Sequence, residues 1–316
     1  MIFWARARVR GWLGCGARSG VLRFDRMLKN FFVPWSQTFA LSYIFRSLTQ
    51  KFAMISVAMH INHLLSMGIY AVTLDGLLSS VTKSKPAIKQ EVYRLIKKKK
   101  MISLRRGFYL LVSPQHVNAG YPPLRLYVDA LFETIGQPYY LCLFTAARIH
   151  GAAHQAYQSS YIMTSKPLAN IESTRINFLV TTNWPVANIE IRKGEAGYYK
   201  ISDAVLTATD LVYHQSKVGG VNNILAFIEE LLEEMLLQQI KDLLSWYPHQ
   251  STLRRLGFLM EKTGAEEELL APLIEFVAKE KPYSVYLTND RRPAKEQSAK
   301  NRWNVIENIK LESDLW

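Results

Sequence analysis

The sequence predicts an α+β fold in which a winged helix-turn-helix precedes a larger, mixed α+β region. Three observations carry this. Residues 54–114 hold three short amphipathic helical patterns followed by two apolar runs around a glycine turn. Residues 113–123, SPQHVNAGYPP, have three prolines and one glycine, the composition of a connector. Beyond them strand patterns come first and helical patterns later, the order of an α+β domain.

In the first region Ile61, Leu64 and Leu65 share one helical face, and Gly68 ends that helix. A second helix is expected over 72–81, with Thr73 or a neighbour as its cap and Leu74, Leu77 and Leu78 turned inward. Ser84-Lys85-Pro86 then gives a hydroxyl cap followed by proline in the first turn, where its missing N–H costs nothing. On the third helix Ile88, Val92, Leu95 and Ile96 form the apolar stripe. At 100° per residue the opposite face then carries Gln90, Tyr93, Arg94 and Lys97, with Lys89 on the flank. Lys99 falls near the apolar azimuth, so this helix should end by 96–98. The runs 101–104 and 108–112, joined by Arg105-Arg106-Gly107, read as a hairpin.

Past the connector the pattern predicts a helix over 124–135, a buried strand over 139–144 and a short helix over 145–150 closed by Gly151. Strands are expected at 161–163, 176–180, 186–192 and 197–201. Helices should then cover 204–214, 221–237, 253–262 and 266–279. The expected domains are an N-terminal extension at 1–53, the winged helix-turn-helix at 54–114, a linker at 115–123 and the α+β domain at 124–316.

The chain has 316 residues, 49% of them hydrophobic, which is ample for real cores. Its net charge of +13 is unevenly spread. Residues 1–53 hold nine Lys/Arg against Asp25, and 54–114 hold ten against Asp75 and Glu91, so each carries +8, while the remainder carries −3. Positive charge is a property of the first third, which suits a local nucleic-acid contact. The arginines of the first 53 residues lack the continuous apolar run of a signal peptide. That segment is expected to be upstream sequence read in frame, with the working start at Met54 or Met59, or else a functional leader. Cys15 and Cys142 are far apart, so neither a disulfide framework nor a cysteine-built zinc site is supported, and a reducing cytoplasm fits best. No apolar run of about 18 residues suggests a spanning helix.

An α-helix fits the major groove, where Arg and Lys offer donors to guanine and Gln pairs with adenine. Gln90, Tyr93, Arg94 and Lys97 are therefore the candidates for groove contact. Lys85, Lys89, Lys98, Lys100, Arg105 and Arg106 would hold phosphates, the two arginines from the hairpin tip. The competing reading is a solvated basic surface.

Other constellations point to structure. His150 and His154 have the spacing of two zinc ligands on one helix, but Gly151 interrupts it and no glutamate accompanies them, so packing or surface roles fit better. Glu190, Arg192 and Lys193 have the alternating form of a nuclease strand, and a salt-bridged edge strand is the simpler reading. Asp203 and Asp210 read as caps or pair partners rather than catalytic groups. Glu229, Glu230, Glu233 and Glu234 oppose Ile224, Ile228, Leu231 and Leu232, the polar face of an amphipathic helix and a possible partner surface. No nucleophile-elbow, phosphate-loop or dinucleotide fingerprint occurs, so no catalytic residue, metal or cofactor is expected.

Two segments together resemble the AbiEi antitoxins of type IV toxin-antitoxin systems, first known from abortive-infection phage defence. One is Tyr93-Arg94-Leu95-Ile96 leading into Ile102-Ser103-Leu104-Arg105-Arg106-Gly107-Phe108-Tyr109-Leu110. The other runs from Ala204-Val205-Leu206-Thr207-Ala208-Thr209-Asp210-Leu211-Val212 through Gly219-Gly220-Val221-Asn222-Asn223 to Ile228-Glu229-Glu230-Leu231. Weaker agreement extends to Leu256-Gly257-Phe258-Leu259 and to Trp303-Asn304-Val305, ending at Ser313-Asp314. A departure is the lysine run 97–100, where the family often has glycine before the hairpin. The resemblance implies a repressor of its own operon that binds inverted repeats in promoter DNA, and with no catalytic motif and a reducing-cytoplasm cysteine usage the chain is expected to be cytoplasmic and not an enzyme. The resemblance also implies that the C-terminal domain counters an AbiEii-like nucleotidyltransferase toxin, without requiring a stable complex. The alternatives from the residues alone are a winged-helix regulator outside any toxin system and, more distantly, a metal-dependent nuclease.

Overall fold

In the computed structural model the described residues are 56–152, 158–288 and 301–312, and they belong to one compact unit. The architecture is mixed α+β. The N-terminal extension, His154 and Ser313-Asp314 lie outside the described residues.

Helix α1 (Val57–Ser66) starts where the Ser56 hydroxyl accepts from the Met59 N–H, and it buries Val57 and Ile61. Strand β1 (Ala71–Thr73) and helix α2 (Leu74–Ser80) follow, with Thr73 Oγ1 accepting from the Gly76 N–H at 3.0 Å. The sequence pattern predicts helix already at 72. Instead Ala71 to Thr73 pair with Leu110 to Phe108, because the β-branched Val72 and Thr73 suit a ladder and supply partners to an otherwise open strand edge. Helix α3 (Lys85–Lys97) buries Ile88, Val92 and Leu95 against α1 and α2. Strands β2 (Met101–Arg105) and β3 (Phe108–Leu111) form the hairpin, giving a three-stranded antiparallel sheet in the order β1-β3-β2.

The turn from α3 into β2 has a defined chemistry. Lys99 donates to the Ile96 carbonyl and Lys100 to the Leu95 carbonyl, and Lys99 sits at φ 55°. These are the paired bonds and left-handed residue of a Schellman stop, a position that favours glycine. Lys99→Gly should therefore raise stability by about 0.5–1 kcal/mol, since a side chain there costs about 1 kcal/mol. A urea midpoint that falls or stays fixed would contradict this reading of the turn.

The hairpin is apolar on both faces for a reason. Met101, Tyr109 and Leu111 pack with α1, α2 and α3, whereas Ile102, Leu104, Phe108 and Leu110 pack into the second half of the chain. The segment 113–123 joins the halves through a short 3-10 turn at Pro114–His116 and a bend at Gly120. Ser113 Oγ and His116 Nδ1 are 2.9 Å apart there.

The second half is built on a five-stranded mixed sheet of β4 (Tyr139–Leu141), β5 (Ser160–Thr164), β6 (Ile176–Val180), β7 (Ile189–Gly194) and β8 (Gly197–Ser202). Its order is β6-β5-β4-β8-β7. Side chains alternate between two cores. Tyr139, Leu141, Ile162, Phe178 and Ile201 face α4 (Val128–Ile135) and the hairpin. Tyr140, Met163 and Leu179 face a helical layer. That layer contains α5 (Leu143–Ile149), α6 (Ala204–Tyr213), α7 (Val221–Leu232), α8 (Leu237–Trp246), α9 (Gln250–Lys262) and α10 (Glu267–Lys279). A parallel two-residue pair, β9 (Val285–Tyr286) and β10 (Val305–Ile306), closes over α9.

Two expected elements divide. The strand expected over 139–144 stops at Leu141, and the chain turns through Cys142 into α5. The helix expected over 221–237 stops at Leu232, because Glu229, Glu230, Glu233 and Glu234 crowd acid at the negative end of the helix dipole. Leu236 is extended, with its N–H on Gln239 Oε1, and α8 starts afresh.

Candidate nucleic-acid interface

The apolar stripe of α3 fixes what its other side presents. With Ile88 fully buried, Lys85, Lys89, Gln90, Tyr93, Arg94 and Lys97 are all exposed, Tyr93 to 59%. Lys97 Nζ lies 5.5 Å from the Tyr93 ring centroid, so cation and ring share one patch. Lys98 and Lys100 continue the exposed cationic run past the helix end. The single acid of α3, Glu91, turns away from this patch. Its carboxylate pairs with Lys83 and accepts from the Val57 N–H at 3.0 Å, and these, with Arg94, hold it below the usual carboxylate range. The outward face therefore carries mostly cations, with Glu91 held on its flank.

The hairpin arginines part company. Arg106 is exposed in the two-residue turn, where Gly107 at φ 77° supplies the left-handed geometry. Arg105, expected at the tip, folds back: its guanidinium donates to the Ala169 carbonyl at 2.9 Å and lies 5.2 Å from the Phe178 centroid. The reason is tertiary, since the face of β2 that bears Leu104 is covered by the second half of the chain. The structure thus groups the α3 residues with Lys98 and Lys100, and sets Arg105 apart.

The remaining constellations settle into structural roles. His150 is buried with Nε2 2.8 Å from the Ser202 carbonyl and Nδ1 3.0 Å from Arg192 Nη2. Arginine can only donate, so Nδ1 accepts and Nε2 carries the proton, the neutral form that burial favours. Glu190 pairs with Arg192 at 2.9 Å on β7, an edge strand of the sheet. Asp203 caps α6 by accepting from the Leu206 N–H at 2.8 Å. Asp210 accepts from Tyr140 Oη at 3.2 Å. Sequence reasoning passed over the run Trp246-Tyr247-Pro248-His249, which joins Tyr140 and Asp210 in lining a cavity of about 190 Å³. Its signal, a cluster of rings directly after a helix, has no period to expose it.

The fold and this surface define an α+β protein with a cationic helix face set against a larger sheet-and-helix half. Residues 139–262 match the family model of the AbiEi antitoxin C-terminal domain, so that stretch of the chain is similar to AbiEi antitoxins. Its backbone is similar to the crystal structure of the RV2827C protein from Mycobacterium tuberculosis. The TM-score is 0.55 at 11% identity, covering 78% of this chain and 88% of that one, a likeness of fold alone. No curated protein matches the sequence. Among the described residues no helix is long and apolar enough to cross a membrane.

Proposed function

We propose that the protein is the DNA-binding antitoxin of a type IV toxin-antitoxin operon, in which residues 54–114 act as a winged helix-turn-helix that represses its own promoter. The observation that carries this is the exposed face of α3, where Lys85, Lys89, Gln90, Tyr93, Arg94 and Lys97 lie opposite the buried Ile88, Val92 and Leu95. A helix presenting Gln, Arg and Lys on one side suits the major groove, and Lys98, Lys100 and Arg106 suit flanking phosphates. Arg105 serves instead to fix the hairpin against the second half.

The antitoxin family of residues 139–262 supports a cognate toxin. The reading extends it to an AbiEii-like nucleotidyltransferase in a cytoplasmic phage-defence system, opposed without catalysis by the antitoxin itself. Palindromic operators would match paired copies of the reading helix.

A salt-dependent gel shift of the full chain, on DNA from directly upstream of its gene beside scrambled DNA, tests the reading. Preference for the upstream DNA at physiological salt is expected, and binding without preference would sink it. Arg94→Ala should weaken upstream DNA more than scrambled DNA, by about 1–3 kcal/mol. Lys98→Ala should weaken both alike and reduce the salt slope by about one unit. Equal losses for the two variants would remove Arg94 from the reading face.

A further inference from the structure

The cavity between β4, α6 and the turn from α8 to α9 is not used by the DNA-binding reading. Its lining includes the rings of Tyr140, Tyr213, Trp246, Tyr247, His214 and His249, beside Thr181, Thr182 and Asn183. Tyr213 and His249 stack with centroids 4.8 Å apart and planes 27° from parallel, and Trp246 is held by its N–H on Asn188 Oδ1 at 2.9 Å. Asp210, only 5% exposed, also lines it. Among the described residues no lysine or arginine lines the cavity beside this carboxyl. His214 does not supply a cation, because burial lowers its pKa to about 4.

We infer that this cavity is a guanidinium site that takes one arginine-like side chain, with Asp210 as its ionic partner and the rings of Tyr213, Trp246 and Tyr247 as its walls. Rings attract a cation over their faces, and a carboxylate among them supplies the opposite charge. Volume decides the size class. About 190 Å³ is below the roughly 300–1,000 Å³ of sites that enclose drug-sized ligands, and suits one side-chain head. Chemistry decides between cations. A planar, weakly hydrated guanidinium stacks on rings and offers paired donors to a carboxylate, whereas a compact ammonium keeps its water. The buried carboxyl also stands ready for a counter-ion. Burial, with Asp203 nearby, raises Asp210 to about 8, and an entering cation would restore its charge. The other groups facing it, Tyr140, Cys142 and Tyr247, are themselves pushed upward by burial and stay neutral.

The test is a titration of the full-length protein with methylguanidinium, with N-acetyl-arginine amide and with methylammonium, each against sodium chloride at equal ionic strength. Tryptophan fluorescence and calorimetry are the readouts. Saturable binding of both guanidinium probes is expected, weakened at least tenfold by Asp210→Asn and about threefold by Tyr213→Ala on the exposed rim. Tighter binding of the arginine amide than of methylguanidinium would assign the site to a protein chain, and equal binding to a free guanidinium, both within the inference. No saturation beyond the salt control, affinity unchanged in Asp210→Asn, or methylammonium binding as tightly would overturn it. Melting curves of both variants verify that a loss is not unfolding.

Discussion

Gly257→Ala is expected to destabilise the protein by about 1–3 kcal/mol, against the ordinary rule for a helix interior. In α9 the exchange of glycine for alanine would normally gain about 1 kcal/mol. Here a Cβ on residue 257 would overlap Cζ3, Cε3 and Cη2 of Trp303. That indole is fully buried, its N–H donates to the Glu261 carboxylate, and its backbone carbonyl accepts from Arg254 at 3.4 Å. It cannot retreat cheaply, so overpacking outweighs propensity. Thermal or urea unfolding of the variant measures the loss. Trp303→Leu alone should also destabilise, but in the Gly257→Ala background it should cost less, a coupling that a double-mutant cycle reads. A stabilised Gly257→Ala would show that the indole does not rest on α9.

Asp210→Asn should gain stability relative to the natural protein as pH rises, on the order of several kcal/mol between pH 4 and 8. Burial raises the Asp210 carboxyl from 3.8 to about 8. In that window the folded chain keeps a proton that the unfolded chain releases. Stability is therefore lost as pH climbs from about 4 and levels off above about 8. Asp203, raised to about 7 by burial, acts in the same direction. His214, lowered to about 4, acts oppositely: the unfolded chain holds its proton up to about 6.5, so its contribution grows with pH. Both remain in the variant, and the difference between the two proteins isolates residue 210. Urea unfolding at pH 5, 7 and 9 gives that difference; a constant offset at all three would mean the carboxyl is not held protonated.

Much of the outline was legible where one residue decides one geometry. Thr73 caps α2, Ile88, Val92 and Leu95 bury one side of α3, and Gly107 turns the hairpin. The 97–100 run, which departs from the glycine of the resembled family, is explained by Lys99 taking the left-handed position itself. β1 was not legible, because three residues leave too little period to distinguish a strand from a helix start, and its partner β3 decides it.

By itself the sequence determined the α+β order, the cationic face of α3 and the AbiEi-like motifs, since each rests on local period, local charge or contiguous residues. Only the tertiary structure decided that Arg105 turns inward, that both faces of the hairpin are covered, that Gly257 makes room for Trp303 and that Asp210 meets the rings after α8. Those contacts join residues some 40 to 80 positions apart. A periodicity reports which side of an element is apolar, not which distant element will cover it.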